Sequence, residues 1–233
     1  MTLFYAPNIM SDPSLPQDES AHAVRVLRMS RGEKIAVTDG QGAWCQCLIT
    51  NPDPKSCEVE ILTVERPKPL WNNNIHIAVA PTKNIERIEW FVEKATEIGI
   101  DTITFLRCRY SERRELKTAR LEKILVSAMK QSQKAVLPHL TGMTDFQSFV
   151  NQQFNGAKFI AHCEADAQKQ HLKSYLSKNE DITILIGPEG DFSSEEIALA
   201  VNNGFRPVSL GASRLRTETA ALVACLSIHL FNN

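Results

Sequence analysis

The alternation of apolar and polar positions changes character once along this chain. In Lys34–Thr38, Ala43–Thr50 and Ser56–Val64 the period is two, the spacing of strands with one buried face. In the third of these, Cys57, Val59, Ile61 and Thr63 share one face while Glu58 and Glu60 occupy the other. The separators Asp39-Gly40-Gln41-Gly42 and Asn51-Pro52-Asp53-Pro54 carry turn chemistry. Before them, Glu19–Met29 has helical spacing, with Ala23, Val26 and Leu27 available for burial. His22, Arg25 and Arg28 step round a neighbouring face, from which they can reach one ligand together. A small β-barrel-like domain with one helix is predicted for the first ~65 residues, a common domain size.

Arg66-Pro67-Lys68-Pro69-Leu70-Trp71-Asn72-Asn73-Asn74 breaks both periodicities and predicts a boundary, giving a domain over 1–66, a linker over 67–74 and a second domain over 75–233. Beyond it strands alternate with helices, the pattern of a mostly parallel α/β sheet. The predicted strands are Ile75–Ala80, Thr102–Leu106, Lys158–His162, Thr183–Ile186 and Pro207–Leu210. The first helix, Asn84–Ile98, aligns Ile85, Ile88, Val92 and Ala95 and stops at Gly99; its Glu86, Arg87, Glu93, Lys94 and Glu97 form a solvated face. A second helix spans Thr118–Lys134, a third runs from Ser193 to Gly204, and the last covers Thr219–Phe231. This last helix is apolar nearly all round, so either the core or a second subunit has to cover it.

With 233 residues and 43% hydrophobic content the chain can build real cores, which excludes disorder as the expectation. A formal charge of -1 gives no global reason for nucleic-acid binding. Locally, Arg107–Lys123 holds seven basic residues against three acidic ones, and Arg25, Arg28, Arg31 and Lys34 form a smaller cluster; each is either a solvated face or a phosphate-binding one. The six cysteines include no Cys-x-x-Cys pair and no His at zinc-ligand spacing, so no metal is expected and a reducing cytoplasm is. Cys45 and Cys47 alternate with polar neighbours and are expected to face a strand interior. The N-terminus lacks the charged and apolar regions of a signal peptide, and no apolar run approaches the ~20 residues of a membrane span.

Two loops concentrate the candidate chemistry. Gly187-Pro188-Glu189-Gly190 follows the apolar run Ile182–Ile186 and leads into Ser193-Ser194-Glu195-Glu196, a helix start. Ligands of open α/β sheets bind beyond the carboxyl ends of the strands, where backbone N–H groups converge. The second loop, Leu210-Gly211-Ala212-Ser213-Arg214-Leu215-Arg216-Thr217-Glu218-Thr219-Ala220, also follows a strand and sets two Arg, two Thr and a Glu between apolar elements. A P-loop is absent, which weakens a nucleotide-hydrolase reading. An RNA-binding assembly factor without chemistry would tolerate loss of Gly187, Gly190 or Gly211, and all three are present.

Leu185-Ile186-Gly187-Pro188-Glu189-Gly190, Phe192, Leu210-Gly211 and Leu215–Ala220 closely resemble the RsmE family of bacterial small-subunit rRNA methyltransferases, of the SPOUT class. The likeness extends to His22, Val26-Leu27-Arg28, Gly32 and Asp39-Gly40, and to Lys83, Glu93-Lys94, Glu97–Gly99, Arg120 and Gln131-Ser132. It implies an N-terminal PUA-like β-barrel domain and a C-terminal SPOUT α/β domain with a deep trefoil knot, in a homodimer that buries the last helix. It further implies S-adenosylmethionine as cofactor and methylation of uridine N3 in 16S rRNA of the small ribosomal subunit.

On the resemblance, Ile186, Gly187, Pro188, Glu189, Gly190, Leu210, Gly211, Leu215, Arg216, Thr217, Thr219 and Ala220 are cofactor-binding candidates. His22, Arg25, Arg28, Arg109, Arg113, Arg114 and Arg120 are the RNA-binding candidates. Loss of the uracil N3 proton is eased by donors on the neighbouring carbonyl oxygens, for which Arg28 and Arg216 are the candidates. Glu218 is a catalytic candidate as proton acceptor, or only caps the last helix. The chain departs from the family at Asp191, where a second glycine is usual, at Ala212-Ser213-Arg214, at Lys130, where an acidic residue is usual, and at Lys134.

Overall fold

The structure, a computed structural model, describes residues 2–164 and 169–232. Its contacts group the chain into two compact units, Met1–Pro69 with Val126–Leu137, and Leu70–Leu125 with Pro138–Asn233.

In the first unit, β1 (Leu3–Tyr5) and α1 (Gln17–Ala21) precede β2 (Lys34–Thr38), β3 (Trp44–Asn51) and β4 (Glu58–Glu65). The four strands form one sheet in chain order, with β1 parallel to β2 and the other pairs antiparallel. An isolated bridge from Ser14 to Glu58 ties the chain before α1 to β4. Phe4, Ile9, Leu15, Ile35, Val37, Ile49 and Val59 make the core, joined by Cys45, Cys47 and Cys57. Burial pushes the Cys47 thiol up to about 12, so this cysteine behaves as a small apolar residue.

The expected helix over Glu19–Met29 needs correction. Helix α1 ends at Ala21 and a π-helical turn, His22–Val26, follows, with the Leu27 N–H on the His22 carbonyl at 2.9 Å. That wider turn shifts the phase of every later side chain. Ala23 is buried as expected, but Val26 is 67% and Leu27 39% exposed. Arg28 closes the turn with φ 56, a left-handed ending more often left to glycine.

The segment Val126–Leu137, which sequence patterning kept with the second domain, packs in the first unit. Its Ala135 carbonyl accepts from Thr38 Oγ1 and from Gly42 N–H, both at 3.0 Å, and Leu137 N–H donates to the Gly40 carbonyl at 2.8 Å. The Asp39–Gly42 turn is thus a docking point as well as a reversal. Lys130, one of the departures, ion-pairs with Glu19 in the same unit.

The second unit contains β5 (Ile75–Val79), α2 (Ile85–Ile98), β6 (Thr102–Arg107) and the start of α3 (Thr118–Gln131). Then come β7 (His139–Asp145), α4 (Phe146–Val150), β8 (Ala157–Ala161), β9 (Gln170–His171), β10 (Ile182–Ile186), α5 (Ser194–Asn202), β11 (Arg206–Ser209) and α6 (Thr217–Asn232). Seven parallel strands lie in the order β7-β6-β5-β10-β8-β11-β9. The chain therefore returns from an edge to insert β10 at the centre, an order that agrees with the deep knot expected from the resemblance. Strand β10 is buried along its whole length, which explains its unbroken apolar run.

Helix caps follow the sequence signals. Asn84 accepts from Glu86 N–H, and Ser193 with Glu196 forms a capping box on α5. The expected solvated face of α2 is half-buried at Lys94, whose ammonium bridges Glu93 and Glu97 at 2.7 and 2.8 Å. Helix α6 begins at Thr217, two residues before the expected start. It buries Ala221, Ala224, Cys225 and Ile228 while Leu226 and Leu230 stay 41% and 69% exposed. No helix among the described residues is long and apolar enough to cross a membrane.

Candidate functional site

The ladders of three adjacent parallel strands end together, β8 pairing with β10 up to Ala161 and Ile186 on one side and with β11 up to Val208 on the other. Past those residues the three chains diverge, and a cleft opens between them. One lobe, of about 280 Å³, is lined by Ile186, Gly187, Pro188, Glu189, Asp191 and the Arg214–Thr217 stretch. An adjoining lobe of about 420 Å³ is lined by Val208–Leu215 together with His162, Cys163 and Lys169. Ala161, Cys163, Arg214, Leu215 and Ala220 border both. These volumes suit a small-molecule ligand.

The glycine turn is held from below and from the side. Asp191 N–H closes it on the Pro188 carbonyl at 3.0 Å, and Phe192, buried against Phe146, forms its floor. A Cβ at Gly187 would lie 3.2 Å from the Phe192 backbone nitrogen and 3.1 Å from its ring, so this position has little room for a side chain. The buried Thr217 hydroxyl donates to the Gly187 carbonyl at 3.0 Å and so ties the start of α6 to the turn. Glu189 accepts the Lys83 N–H at 3.0 Å, which makes it a loop anchor as well as a lining residue.

Of the cofactor-binding candidates, Ile186, Gly187, Pro188, Glu189, Leu215, Arg216, Thr217 and Ala220 line the first lobe, and Leu210 and Gly211 line the second. Gly190 and Thr219 border neither. At Gly190 a Cβ would meet Tyr110 at 3.1 Å, a packing constraint. Gly211 has φ 136 with open space round a Cβ, so its constraint is conformational.

Of the candidate catalytic residues, Arg216 and Glu218 lie on different grooves. Arg216 lines the cleft and is exposed. Arg28 lies exposed in the first unit. Glu218 borders a different groove, with Asn84, Arg87, Trp90 and Thr219. It is buried, 3.9 Å from Arg87 Nε, and its Oε2 has no hydrogen-bond partner among the described residues.

His22, half-buried and 6.0 Å from the Phe4 ring, and the exposed Arg25 belong to the first unit. The basic stretch of the second unit is more neutral than its sequence suggests. Arg107 pairs with Asp145 at 2.7 Å, Arg109 with Glu195 at 3.1 Å and Arg120 with Glu89 at 2.7 Å. Arg113 donates to the Thr82 and Lys83 carbonyls, whereas Arg114 and Lys117 are exposed. The Arg107–Asp145 and Arg109–Glu195 pairs are exposed on both sides and therefore weak, whereas Arg120 pairs with the buried Glu89.

Sequence reasoning missed the β8 side of the cleft, Ala161, His162 and Cys163, although the strand-end rule applied to the predicted Lys158–His162 strand would have found it. Lys169 carried no such signal. The Cys163 thiol is pushed above its ordinary value by burial and then by the neighbouring Asp191 carboxylate. Among the described residues no cluster of three His, Cys, Asp or Glu could hold a metal.

Comparison with known proteins agrees with this geometry. A family model described as an RNA methyltransferase domain matches residues 69–229, and one described as an RNA methyltransferase PUA domain matches 15–62. The Ribosomal RNA small subunit methyltransferase E of Rickettsia conorii is 27% identical over 221 residues, 94% of this chain and 90% of that protein. Among solved structures, a probable rRNA-methyltransferase from Porphyromonas gingivalis is 44% identical with a TM-score of 0.95, covering 100% of this chain and 98% of that one. A Ribosomal RNA small subunit methyltransferase E from Neisseria gonorrhoeae, bound to S-adenosyl methionine, is 25% identical with a TM-score of 0.86 over 99% and 97% of the two chains.

Proposed function

The chain belongs to the RNA methyltransferase family, and from that membership we propose that it methylates N3 of a uridine in 16S rRNA of the small ribosomal subunit, with S-adenosylmethionine as methyl donor. The observation that carries this reading is the cleft itself, built at the ends of β8, β10 and β11 from both loops. Its lining fits that donor. Glu189 suits a ligand with a cationic centre, while Ile186, Leu215, Ala161 and Ala220 offer apolar contact to a flat base. S-adenosylmethionine, when bound, supplies a methyl group on a sulfonium for transfer to a nucleophilic nitrogen.

The residues supply alignment and charge. Arg216, exposed on the cleft wall, donates to a uracil carbonyl oxygen and so spreads the negative charge that develops as N3 loses its proton. In the first unit, the exposed Arg25 and Arg28 and the half-buried His22 contact the RNA backbone. Glu218 stabilises the first turn of α6, in whose groove it lies. The remaining phosphate contacts come from Arg109, Arg113, Arg114 and Arg120. The exposed Trp90, Leu226 and Leu230 of α2 and α6 form the face that a second copy covers in a cytoplasmic homodimer.

The test is transfer of labelled methyl from S-adenosylmethionine to unmodified small ribosomal subunits, followed by nucleoside analysis. Label in 3-methyluridine is the expected result. Cofactor binding without label in that nucleoside overturns the acceptor, and absence of cofactor binding overturns the reading of the cleft.

A further inference from the structure

Asp191 occupies a backbone position that favours glycine. Its φ is 65, left-handed, and it is one of only four non-glycine residues with positive φ among those described. Asp tolerates this conformation better than most side chains, yet glycine would adopt it without strain. Something beyond the turn therefore has to favour the carboxylate.

The carboxylate bridges two walls of the cleft. Its Oδ2 accepts the Cys163 N–H at 2.7 Å, across 28 residues, and its Oδ1 accepts the Phe192 N–H at 2.8 Å. The β8–β10 ladder ends at Ala161 and Ile186, so the chains on either side have no further ladder bond where the cleft begins. Asp191 spans that gap and lines the same lobe as Cys163. A second tie, from Ser194 Oγ to Glu164 Oε1 at 2.7 Å, holds the next residue of the β8 wall to the start of α5.

We propose that Asp191 is a positioning residue, a clamp that fixes the Cys163 wall against the Gly187–Gly190 turn and so preforms the cofactor cleft. This rests on the reading of the cleft as the S-adenosylmethionine site. The clamp does not depend on the charge of the ligand. It therefore acts alike on S-adenosylmethionine, whose sulfur is cationic, and on S-adenosylhomocysteine, whose sulfur is neutral.

The experiment compares wild type with Asp191→Gly, which keeps the left-handed backbone and removes both acceptors, and Asp191→Asn, which keeps one acceptor oxygen. Binding of both ligands is measured by calorimetry, backbone amide exchange by NMR without ligand, and methyl transfer under saturating RNA. We expect Asp191→Gly to weaken both ligands by a similar factor, about tenfold for loss of a charge-assisted bond. The KM for the donor should rise by that factor with kcat nearly unchanged, exchange at Cys163 should quicken, and Asp191→Asn should fall between. Unchanged affinity in both variants overturns the clamp, and so does weakening of S-adenosylmethionine alone, which would make the carboxylate a direct charge partner. Failure of both variants to fold also overturns it, by making Asp191 a residue of the fold. If wild type binds neither ligand the cleft reading falls, while amide exchange at Cys163 still decides the clamp.

Discussion

Thr217→Val is the sharpest probe of how the two loops are joined. Thr217 is 6% exposed, and its hydroxyl donates to the Gly187 carbonyl at 3.0 Å, linking residues 30 apart in sequence. Valine preserves the shape and the β-branch but leaves that buried carbonyl without this donor. A neutral buried hydrogen bond contributes about 1 kcal/mol, and stranding its acceptor costs about 1–3 kcal/mol, so a loss of about 2 kcal/mol is expected. For a chain of this size that is roughly a 4–8 °C fall in Tm. Thr217→Ser keeps the hydroxyl and deletes one methyl, for about 0.8 kcal/mol. Urea denaturation of the three proteins, with calorimetry of S-adenosylmethionine binding alongside, separates the terms. Valine should be the less stable variant and should also bind the cofactor more weakly, because the Gly187 turn loses its tie to α6. A valine variant as stable as wild type, with serine the weaker of the two, would refute the reasoning, since the site would then need the methyl and not the hydroxyl.

Gly211→Val should leave the fold intact, since a Cβ there meets nothing within 4 Å, yet φ 136 forces the loop to shift. Cofactor affinity should therefore drop while circular dichroism stays native, and wild-type affinity would remove Gly211 from the site. Stability should also fall with pH through His76, whose pKa is lowered to about 4 by burial and then by His139. The folded state keeps this ring neutral while the unfolded chain takes up a proton below about 6.5, so the contribution is complete above that pH and lost as pH drops towards 4. Between pH 7 and pH 5 this amounts to about 2 kcal/mol, and His76→Gln should flatten that part of the urea-derived stability profile. Cys163 is the exposed cysteine while the other five are buried, so iodoacetamide should label it first. Because Asp191 raises that thiol, Asp191→Asn should be labelled faster at pH 8, and equal rates would show that the carboxylate does not reach the sulfur.

Much of the fold was legible because it is local. The five predicted strands of the second domain and the caps at Asn84 and Ser193 come from periodicity and turn chemistry that neighbouring residues carry by themselves. The two loops stood out because they place glycine and charge at strand ends. Strand β7 was missed because His139–Asp145 is a sheet edge with no residue fully buried, so no apolar period marks it. The docking of Val126–Leu137 was missed because its partners are the Thr38 hydroxyl and the backbone of Gly40 and Gly42, which have no signature near residue 130.

The sequence by itself determined the elements, the change from period two to alternating strands and helices, and the chemistry of both loops, because each depends on contacts within a few residues. Only the tertiary structure decided that the π-turn at His22–Val26 exposes Val26 and Leu27. It also decided that Glu218 borders a groove apart from Arg216 and that Asp191 bridges to Cys163. The Asp191 bridge depends on where a parallel sheet brings strand ends near residues 161, 186 and 208 together, and a single chain position has no local energy that records such a meeting.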